Sequence, residues 1–468
     1  MLFCAGVLVV VFCSVIVRLG TMQIFAKSLH IKTGIVQIIL GDNEELMAYD
    51  RSEEGKAARA DFTDVSENAS IKSDKIDWKE KYPFPEGERN SSDKTSPSTK
   101  SSIGNRIFST VRDKIKTAEQ KAENWTGKYL WHYMDVVQWA DAYKGNIVRW
   151  NIRAWGEYNG VVELTDGHLT VFKQKKDVTA KAENVAAFAD ACQEQGIPLV
   201  MVLVPSKIAP SDVDVSGKLD FSNQNADDFV RLLREYGVDC MDIRDNIIQD
   251  GLDHHDLFYR TDHHWKVSTA RWATEKIFSH LNEFYGYHAD PSLLEPDRYD
   301  EVLYPASFLG SRGKKMTLAR TTPDDFSLYY PKFTTSFTIS IPSLHLEKQG
   351  DFSIMYQMEA MDFSNGLYKS NPYSALGYGD QDFIDIHNHL KTDGKHFLLI
   401  HDSFGDAVTP FLALGMEHLQ TIDLRHFTGS LQTFVQKERP DAVIILYFVQ
   451  ELGGNGNETK HEELFDFR

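Results

Sequence analysis

Short apolar runs alternate with amphipathic stretches along the second half of the chain. PLVMVLVP (198–205) is an apolar run bounded by prolines, which is typical of a strand buried on both faces of a sheet. AENVAAFADACQEQG (182–196) has the apolar spacing of a helix, and Gly196 stands where that helix would end. The other predicted elements are strands at 168–172, 240–243, 396–401, 421–424 and 442–449, and helices at 226–236, at 267–284, from about 406 and at 429–437.

Strands that alternate with helices predict a mainly parallel sheet with right-handed crossovers. Residues 290–390 follow another pattern, because FTTSFTISIPSLHLE (333–347) and DFSIMYQMEAM (351–361) alternate apolar and polar positions. That pattern indicates antiparallel strands with one solvated face. We therefore expect an α/β fold, with a mainly parallel sheet flanked by helices and a β-rich insertion that holds a large substrate.

The N-terminal part has two segments of contrasting composition. The first seventeen residues, MLFCAGVLVVVFCSVIV, carry no charge and predict a membrane anchor or uncleaved signal segment, with a buried core helix as the alternative. Polar residues then dominate, which is typical of a linker with short structured pieces around Trp78 and Tyr82. The predicted organisation is a membrane or signal segment at 1–20, a polar linker or mobile arm at 48–105, an α/β domain at 125–289 and 391–452, the insertion at 290–390, and an acidic, frayed tail at 453–468.

Composition and charge exclude several classes of protein. Of the 468 residues, 42% are hydrophobic and 12% aromatic, as expected of a folded globular chain. The formal net charge is −18 and no basic patch is present, so we expect no nucleic-acid partner. Four cysteines are few for this length, which excludes a disulfide framework, and no CxxC pair is present to suggest a zinc ribbon. Cys192 and Cys240 are expected to be buried free thiols.

A serine follows directly after one predicted buried strand. HFLLIH (396–401) leads into DSFGDAVTPF, so Ser403 lies on a strand-to-helix turn, at the sheet edge where active sites of open α/β folds gather. This position suits a nucleophile, because unpaired N–H groups at a helix start can stabilise an oxyanion. The alternative interpretation is that Ser403 only caps the helix.

The stretch DHHDLFYRTDHHW, Asp253 to Trp265, contains two Asp-His-His triplets. A serine nucleophile needs a base, and Asp262 and His264 of the second triplet can project to the same side of an extended segment. The Asp262 carboxylate would then accept the Nδ1 proton of His264, and Trp265 would shield the pair from water. The first triplet lacks the flanking Thr and Trp and is interpreted as a solvated loop.

These segments resemble a known family. TDHHW, followed about 140 positions later by DSFGDAVTPFL and then by TIDLRHF, is similar to the bacterial DHHW proteins, which are related to the SGNH-hydrolase-like domains of the alginate O-acetyltransferase family. PLVMVLVPSK, FLGSRGKK and AVIILYFVQEL also resemble family segments, over roughly residues 125 to 452. The resemblance implies an SGNH-hydrolase-like fold with a permuted motif order, since the Asp-x-His pair precedes the serine.

The resemblance also implies a function. Asp262, His264 and Ser403 would form a Ser-His-Asp triad in an O-acetyltransferase or acetylesterase that acts on an exported or cell-envelope polysaccharide. Such a protein works beside a membrane-bound acyltransferase partner and needs no cofactor. Its expected location is outside the bacterial cytoplasm, either anchored to the membrane through the N-terminal segment or secreted.

Several residues are predicted to contact the reacting groups. The amides of Ser403 and Phe404 are the first candidates for oxyanion donors, and Ser311 in the loop Gly310-Ser311-Arg312 is a weaker candidate. The family's usual glycine before the Asp-Ser pair is His401 here, which would alter the oxyanion geometry or occupy the pocket.

Substrate contacts are predicted from charged and aromatic positions. Arg312 and His401 are candidates, and Arg425 would bind a carboxylate or sugar hydroxyl unless it forms a structural ion pair with Asp423. The aromatic segment NPYSALGYGDQDF (371–383) is expected near the edge of the active site.

Two other functions stay open. One is a metal-dependent phosphoesterase, because imidazoles and carboxylates suit zinc and manganese and an Asp-His-His triplet resembles the DHH phosphoesterases. Its metal ligands would be Asp253, His255, Asp262 and His264, with Asp212 and Asp214 as the additional aspartate motif. The other is a non-catalytic envelope protein that binds glycan or assembles a surface complex through its aromatic residues and β-rich insertion.

Overall fold

The computed structural model describes residues 77–84, 157–158, 160–212, 220–318, 320–392, 394–453 and 463–468. The predicted membrane segment at 1–20, most of the predicted linker at 48–105 and the aromatic stretch up to residue 156 lie outside the described residues. Within the described residues, no helix is both long and apolar enough to cross a bilayer.

Helices and strands alternate along most of the described chain. The strands are β1 (Glu157–Tyr158), β2 (Val161–Glu163), β3 (Leu169–Thr170), β4 (Leu199–Val204), β5 (Asp239–Asp242), β6 (Tyr299–Phe308), β7 (Asp324–Pro331), β8 (Phe337–Ile341), β9 (Leu346–Gly350), β10 (Phe383–Asn388), β11 (His396–His401), β12 (His418–Ile422) and β13 (Ala442–Phe448). The helices are α1 (Trp78–Lys81), α2 (Thr179–Gln193), α3 (Ser222–Glu235), α4 (Ile243–Asp250), α5 (Val267–Tyr285), α6 (Ser311–Met316), α7 (Ser403–Leu412) and α8 (Leu431–Glu438).

The largest sheet in the described part of the chain has eight strands in the order β5-β4-β13-β11-β12-β10-β8-β9. The first five strands of this order run parallel, and β10, β8 and β9 join them antiparallel. The α/β fold with helices flanking the sheet is thus confirmed, and the sheet is mixed rather than purely parallel. Every residue of β4 and β13 is buried, because helices cover both faces of the parallel half.

The direction of the connections explains how helices come to cover both faces. The chain moves one way along the sheet from β4 to β5 through α3, and the opposite way from β11 to β12 through α7. Right-handed crossovers in opposite directions place their helices on opposite faces of the sheet. The carboxyl ends of β4, β13 and β11 therefore open a crevice where ligands bind in such folds.

The predicted insertion is partly built into this sheet. β8 alternates buried and half-buried residues as predicted, whereas β9 has only half-buried and exposed residues; both strands extend the sheet. β6 and β7 form a separate two-stranded antiparallel sheet. The strand predicted at 351–361 is wrong, since Phe352–Met355 and Met358–Met361 are 3-10 helices. The carboxylate of Asp351 accepts the Ser353 amide and starts the first of these turns, which alternation of apolar residues does not reveal.

Several local elements also differ from the predictions, including α6, which was not predicted, and β12, which begins three residues before the predicted strand. The strand predicted at 168–172 is the two-residue β3, which pairs with β2 in a small antiparallel sheet. Helix α4 was not predicted, although Asp242 caps its start and Gly251, at φ 64°, ends it. Helix α7 begins at Ser403 instead of near residue 406. Cys192 is a buried free thiol, as predicted, whereas Cys240 is a free thiol that is only half-buried. Burial raises the pKa of each to about 12.

Two segments remote in sequence pack on the core. The predicted structured piece around Trp78 and Tyr82 is confirmed as α1, where both side chains are buried and the Trp78 indole donates to Asp382 at 2.7 Å. The predicted fraying of the tail is wrong for residues 463–468, because Phe465 and Phe467 are buried against Tyr447 of β13.

Replacing Trp78 tests whether α1 stabilises the sheet domain. Its ring packs against Phe383 and Phe427, with centroids 5.3 and 5.2 Å away. We expect Trp78→Ala to lower the free energy of unfolding by about 3–5 kcal/mol, because it leaves a cavity under the helix. Urea denaturation of the full-length protein measures the change, with the exposed Lys79→Ala as control. Equal midpoints for Trp78→Ala and wild type would contradict this account.

Candidate active site

Ser403 is the first residue of α7, and Asp402 performs the capping role. The Asp402 carboxylate accepts the amide of Phe404 at 2.9 Å and the amide of Phe448 at 2.7 Å. The alternative interpretation of Ser403 as the helix cap is therefore wrong. The Ser403 hydroxyl, just after the carboxyl end of β11, is free to face the second Asp-His-His triplet.

The structure brings Ser403, His264 and Asp262 together. The Ser403 Oγ lies 2.7 Å from His264 Nε2, and His264 Nδ1 lies 2.6 Å from Asp262 Oδ1. In this arrangement the serine hydroxyl donates to Nε2, while the Nδ1 proton is donated to the carboxylate. Burial alone would raise the pKa of Asp262, but the adjacent His263 and His264 hold it well below its ordinary value. A permanent carboxylate thus orients the imidazole.

A tight reversal of the backbone presents His264 to the serine. The Tyr259 amide donates to the His264 carbonyl at 3.1 Å, and Phe258 and Trp265 form an antiparallel bridge. Trp265 is fully buried, and its indole N–H donates to the Phe404 carbonyl at 3.2 Å. The predicted shielding residue therefore also joins the histidine segment to the serine helix.

Lys207 supports the same segment, a role that was not predicted from the sequence. Its amine is buried just beyond the end of β4 and donates to the carbonyls of Tyr259 at 2.6 Å, Leu169 at 3.0 Å, Arg260 at 3.3 Å and Asp262. Burial lowers the pKa of this amine to about 7. The available signal was a lysine in the short segment Pro205-Ser206-Lys207 that follows a fully apolar strand, because a buried amine must find acceptors.

Gly310 and Ser311 hold the other side of the Asp262 carboxylate. The Ser311 amide donates to Asp262 Oδ2 at 2.5 Å, and the Ser311 hydroxyl lies 3.2 Å from His263 Nδ1. A Cβ on Gly310 would lie 2.3 Å from the Asp262 Cβ, so only glycine permits this close approach. The loop predicted as a weak oxyanion donor instead positions the aspartate.

The three predicted oxyanion donors differ in whether the backbone amide already donates to another residue. The Phe404 amide is engaged by Asp402 and the Ser311 amide by Asp262, so in this structure neither is available to an oxyanion. The Ser403 amide has no acceptor among the described residues. It stands at the start of α7, where the helix dipole favours negative charge.

Two of the three predicted substrate-binding residues are paired with other side chains or buried in the fold. Arg425 donates to Asp423, with Nε at 3.0 Å, and to Asp380 at 2.6 Å, which is the structural ion pair given as the alternative. His401 is 2% exposed, so it lies inside the fold instead of lining an open pocket. Arg312 is half-buried, and its Nε atom has no hydrogen-bond acceptor among the described residues.

The aromatic segment 371–383 reaches the candidate site through Tyr373. The Tyr373 ring stacks on the His264 imidazole with centroids 3.9 Å apart and planes at 13°. Stacking on this face limits rotation of the imidazole and keeps water from it. The insertion thus supplies one wall of the site.

The predicted four-ligand metal site is not formed. Within the described residues, the groups close enough to share a metal ion are Asp166-His168-His255, Asp262-His263-His264 and Asp385-His387-His418. The two Asp-His-His triplets fall into separate groups, and the Asp253 carboxylate accepts the amide of His255 in its own turn. Asp214 lies outside the described residues. The backbone reverses between the two triplets, where Phe258 pairs with Trp265, and the triplets contact different partners: His255 meets Asp166 and Asp212, whereas His264 meets Ser403.

Comparisons with known proteins agree with this architecture. A family model described as an SGNH hydrolase-like domain of acetyltransferase AlgX matches residues 164–293, and a DHHW protein model matches residues 241–422. The resemblance inferred from TDHHW and DSFGDAVTPFL is thereby confirmed. A search of curated proteins gives no match.

Solved structures show a similar fold. Bacillus cereus PatB1 with a sulfonyl adduct has a TM-score of 0.52 and 19% identity, covering 66% of this chain and 98% of that chain. A second PatB1 structure has a TM-score of 0.51 and 20% identity, covering 66% and 100%. A DHHW family protein from Eubacterium siraeum DSM 15702 has a TM-score of 0.48 and 18% identity, covering 66% and 95%. At these identities the likeness to PatB1 concerns the fold.

The Asp402 carboxyl gives a pH-dependent prediction. Burial, reinforced by the charge of Glu451, raises its pKa from 3.8 to about 7, so the folded state holds this proton more tightly than the unfolded state. The stability that Asp402 contributes is present below about pH 4 and is lost as the pH rises to about 7. We expect the wild-type minus Asp402→Asn difference in unfolding free energy to fall across this range, by at most about 1.4 kcal/mol per pH unit.

The control for Asp402 has the opposite sign. Burial raises the pKa of Asp239, but hydrogen bonds from His280 and Tyr285 bring it below its ordinary value. The stability contributed by Asp239 is therefore lost as the pH falls, and the Asp239→Asn difference should rise with pH. Chemical denaturation at several pH values measures both differences. If the wild-type minus Asp402→Asn difference in unfolding free energy did not change with pH, the raised pKa of Asp402 would be contradicted.

The buried amine of Lys207 gives a second prediction. Lys207→Met keeps the length of the side chain but leaves buried carbonyls without a donor. We expect it to lower the free energy of unfolding by more than about 2 kcal/mol. Lys175→Met removes an exposed ion pair with Asp228 and should cost less than about 1 kcal/mol. Urea denaturation compares the two variants, and equal costs would show that the amine does not support the site.

Proposed function

We propose that the protein is a serine-dependent acyl-ester enzyme, an O-acetyltransferase or acetylesterase, in which Ser403 is the nucleophile. The observation that carries the proposal is the 2.7 Å contact between the Ser403 hydroxyl and His264 Nε2, with Asp262 on the other imidazole nitrogen. A serine hydroxyl becomes a nucleophile when an adjacent base accepts its proton. The buried Asp262 carboxylate stabilises the imidazolium that forms.

The geometry supports a two-step transfer. In the first step the Ser403 oxygen attacks the carbonyl carbon of an acyl ester while His264 takes the hydroxyl proton. The oxyanion forms beside the Ser403 amide at the start of α7, and its collapse releases an alcohol that receives the proton from His264. In the second step His264 deprotonates an incoming hydroxyl, which attacks the acyl-serine and regenerates the free enzyme. The acceptor is a sugar hydroxyl in a transferase and water in an esterase.

Other observations support an acetyl group as the transferred unit. The family model that matches residues 164–293 is described by the acetyltransferase AlgX. We extend the proposal to an exported or cell-envelope polysaccharide as acceptor, to a membrane-bound acyltransferase as acyl donor, and to a location outside the cytoplasm. The resemblance and the apolar sequence at 1–17 favour this setting.

Hydrolysis of 4-nitrophenyl acetate by the purified full-length protein tests the chemistry. We expect Ser403→Ala and His264→Ala each to lower the turnover by at least about 100-fold, because each removes the nucleophile or its base. Matched controls are Ser279→Ala and His280→Ala on α5, where the serine bonds Glu275 and the histidine bonds Asp239. Wild-type turnover in both active-site variants would overturn the proposal.

Covalent labelling separates the nucleophile from a residue that only supports it. Phenylmethylsulfonyl fluoride should transfer its sulfonyl group to the Ser403 oxygen and release fluoride, which peptide mass spectrometry locates. Ser403→Ala should remain unlabelled, while Ser279→Ala should label like the wild type. Labelling at another serine with loss of turnover would refute Ser403 as the nucleophile. Absence of both labelling and turnover would favour the non-catalytic alternative.

A further inference from the structure

A second cluster of histidines and aspartates lies apart from the triad. Asp166 and His168 stand in the turn between β2 and β3, Asp212 follows β4, and His255 belongs to the first Asp-His-His triplet. The side chains of these residues are between 13% and 34% exposed, so the cluster is packed yet open to solvent on one side. None of the four forms a hydrogen bond with Ser403, His264 or Asp262 among the described contacts.

One carboxylate oxygen stands between two imidazoles in this cluster. Asp166 Oδ2 lies 2.8 Å from His168 Nδ1 and 2.5 Å from His255 Nδ1. The other nitrogen of His255, Nε2, lies 2.9 Å from Asp212 Oδ2. Both nitrogens of one ring therefore face carboxylates. A neutral imidazole has a single N–H, so it can donate to one of these oxygens and needs a proton or a cation at the other.

A divalent metal ion can take the place of the second proton on His255, with the Asp166 carboxylate moving slightly away from the ring to make room for the ion. With the His255 Nε2 proton donated to Asp212, the lone pair of Nδ1 is free to bind a metal next to His168 Nδ1 and the Asp166 carboxylate. A carboxylate on the far nitrogen of a ligating histidine is the usual second partner in metal sites, because it fixes the tautomer and the ring orientation. Two imidazoles and one carboxylate, with an open side for water, suit zinc and similar ions.

We propose that Asp166, His168 and His255 bind one divalent transition-metal ion of the zinc class, with Asp212 orienting His255. The other two residues of the first triplet, Asp253 and His254, form other hydrogen bonds. The His254 Nε2–H donates to the Ser206 carbonyl at 2.6 Å, and Asp253 caps its own turn. The first triplet therefore supplies one ligand to a metal site that the second triplet does not share.

The proposed metal site lies next to contacts between the β2–β3 turn and the segment that carries Asp262. The Leu169 amide, just after His168, donates to the Arg260 carbonyl at 2.8 Å, and the Leu169 carbonyl accepts from the Lys207 amine. A metal that joins the β2–β3 turn to His255 would hold this turn against the segment that carries Asp262. Its role is structural, and it takes no part in the acyl transfer proposed above.

Metal titration of the full-length protein tests the site. Chelator-treated protein is titrated with ZnCl2 by calorimetry, and with CoCl2 by the visible absorption of the bound ion. We expect one ion per chain and a rise in the melting temperature when the ion is present. His168→Ala and His255→Ala should abolish both effects, and Asp212→Asn should weaken affinity by about 10–100-fold.

Controls separate this site from general metal uptake and from misfolding. His387→Ala alters the Asp385-His387-His418 group and should leave affinity and stoichiometry unchanged. Asp166→Asn preserves the shape of the ligand and should lose the ion while its circular dichroism stays that of the wild type. The proposal is overturned if the wild type takes up no stoichiometric ion, if His255→Ala and Asp166→Asn bind like the wild type, or if His387→Ala abolishes binding.

Discussion

The buried amine of Lys207 holds together the loops from which the candidate active site is built. It joins β3 to the segment that carries Asp262 by donating to carbonyls on both, including those of Leu169 and Tyr259. A buried amine and buried carbonyls are costly when left unpaired, so these loops cannot separate without a large loss of free energy. The position of the Asp-x-His pair is therefore fixed by a group that takes no part in the chemistry.

A second polar contact fixes the serine from the side of the sheet. The Asp402 carboxyl bridges the amides of Phe404 and Phe448, and so joins the turn after β11 to the end of β13. Burial raises its pKa to about 7, and that of the neighbouring Asp406 well above its ordinary value. Both shifts limit the negative charge near the place where an oxyanion would form. Asp262, in contrast, stays charged because two imidazoles face it.

The parts of the site come from different layers of the molecule. The parallel half of the sheet supplies Ser403, the backbone reversal before α5 supplies His264, and Tyr373 closes over the imidazole from the insertion. The two Asp-His-His triplets have the same composition but different surroundings. One faces the serine, and the other faces the β2–β3 turn. The surroundings, and not the triplet itself, decide which chemistry each can perform.

Much of the fold follows from local patterns in the sequence. Apolar runs such as PLVMVLVP indicate strands that are buried on both faces. The turn at Ser403 and the Asp262-x-His264 spacing depend only on the geometry of a few consecutive residues. The prediction failed at 351–361, where the Asp351 side chain redirects the backbone, and it gave no role to Lys207. It also left the Phe404 and Ser311 amides open as oxyanion donors, because a sequence does not show which acceptors have already engaged them.

Local sequence patterns suffice to predict the alternation of strands and helices, the strand-to-helix turn at Ser403 and the Asp262-x-His264 spacing. They do not predict that Ser403 meets His264, 139 residues away, or that the two triplets have separate partners; only the folded chain shows these contacts. Periodicity reports whether a side chain is buried, whereas the partners of a buried side chain depend on how the sheet, the loops and the insertion pack against each other.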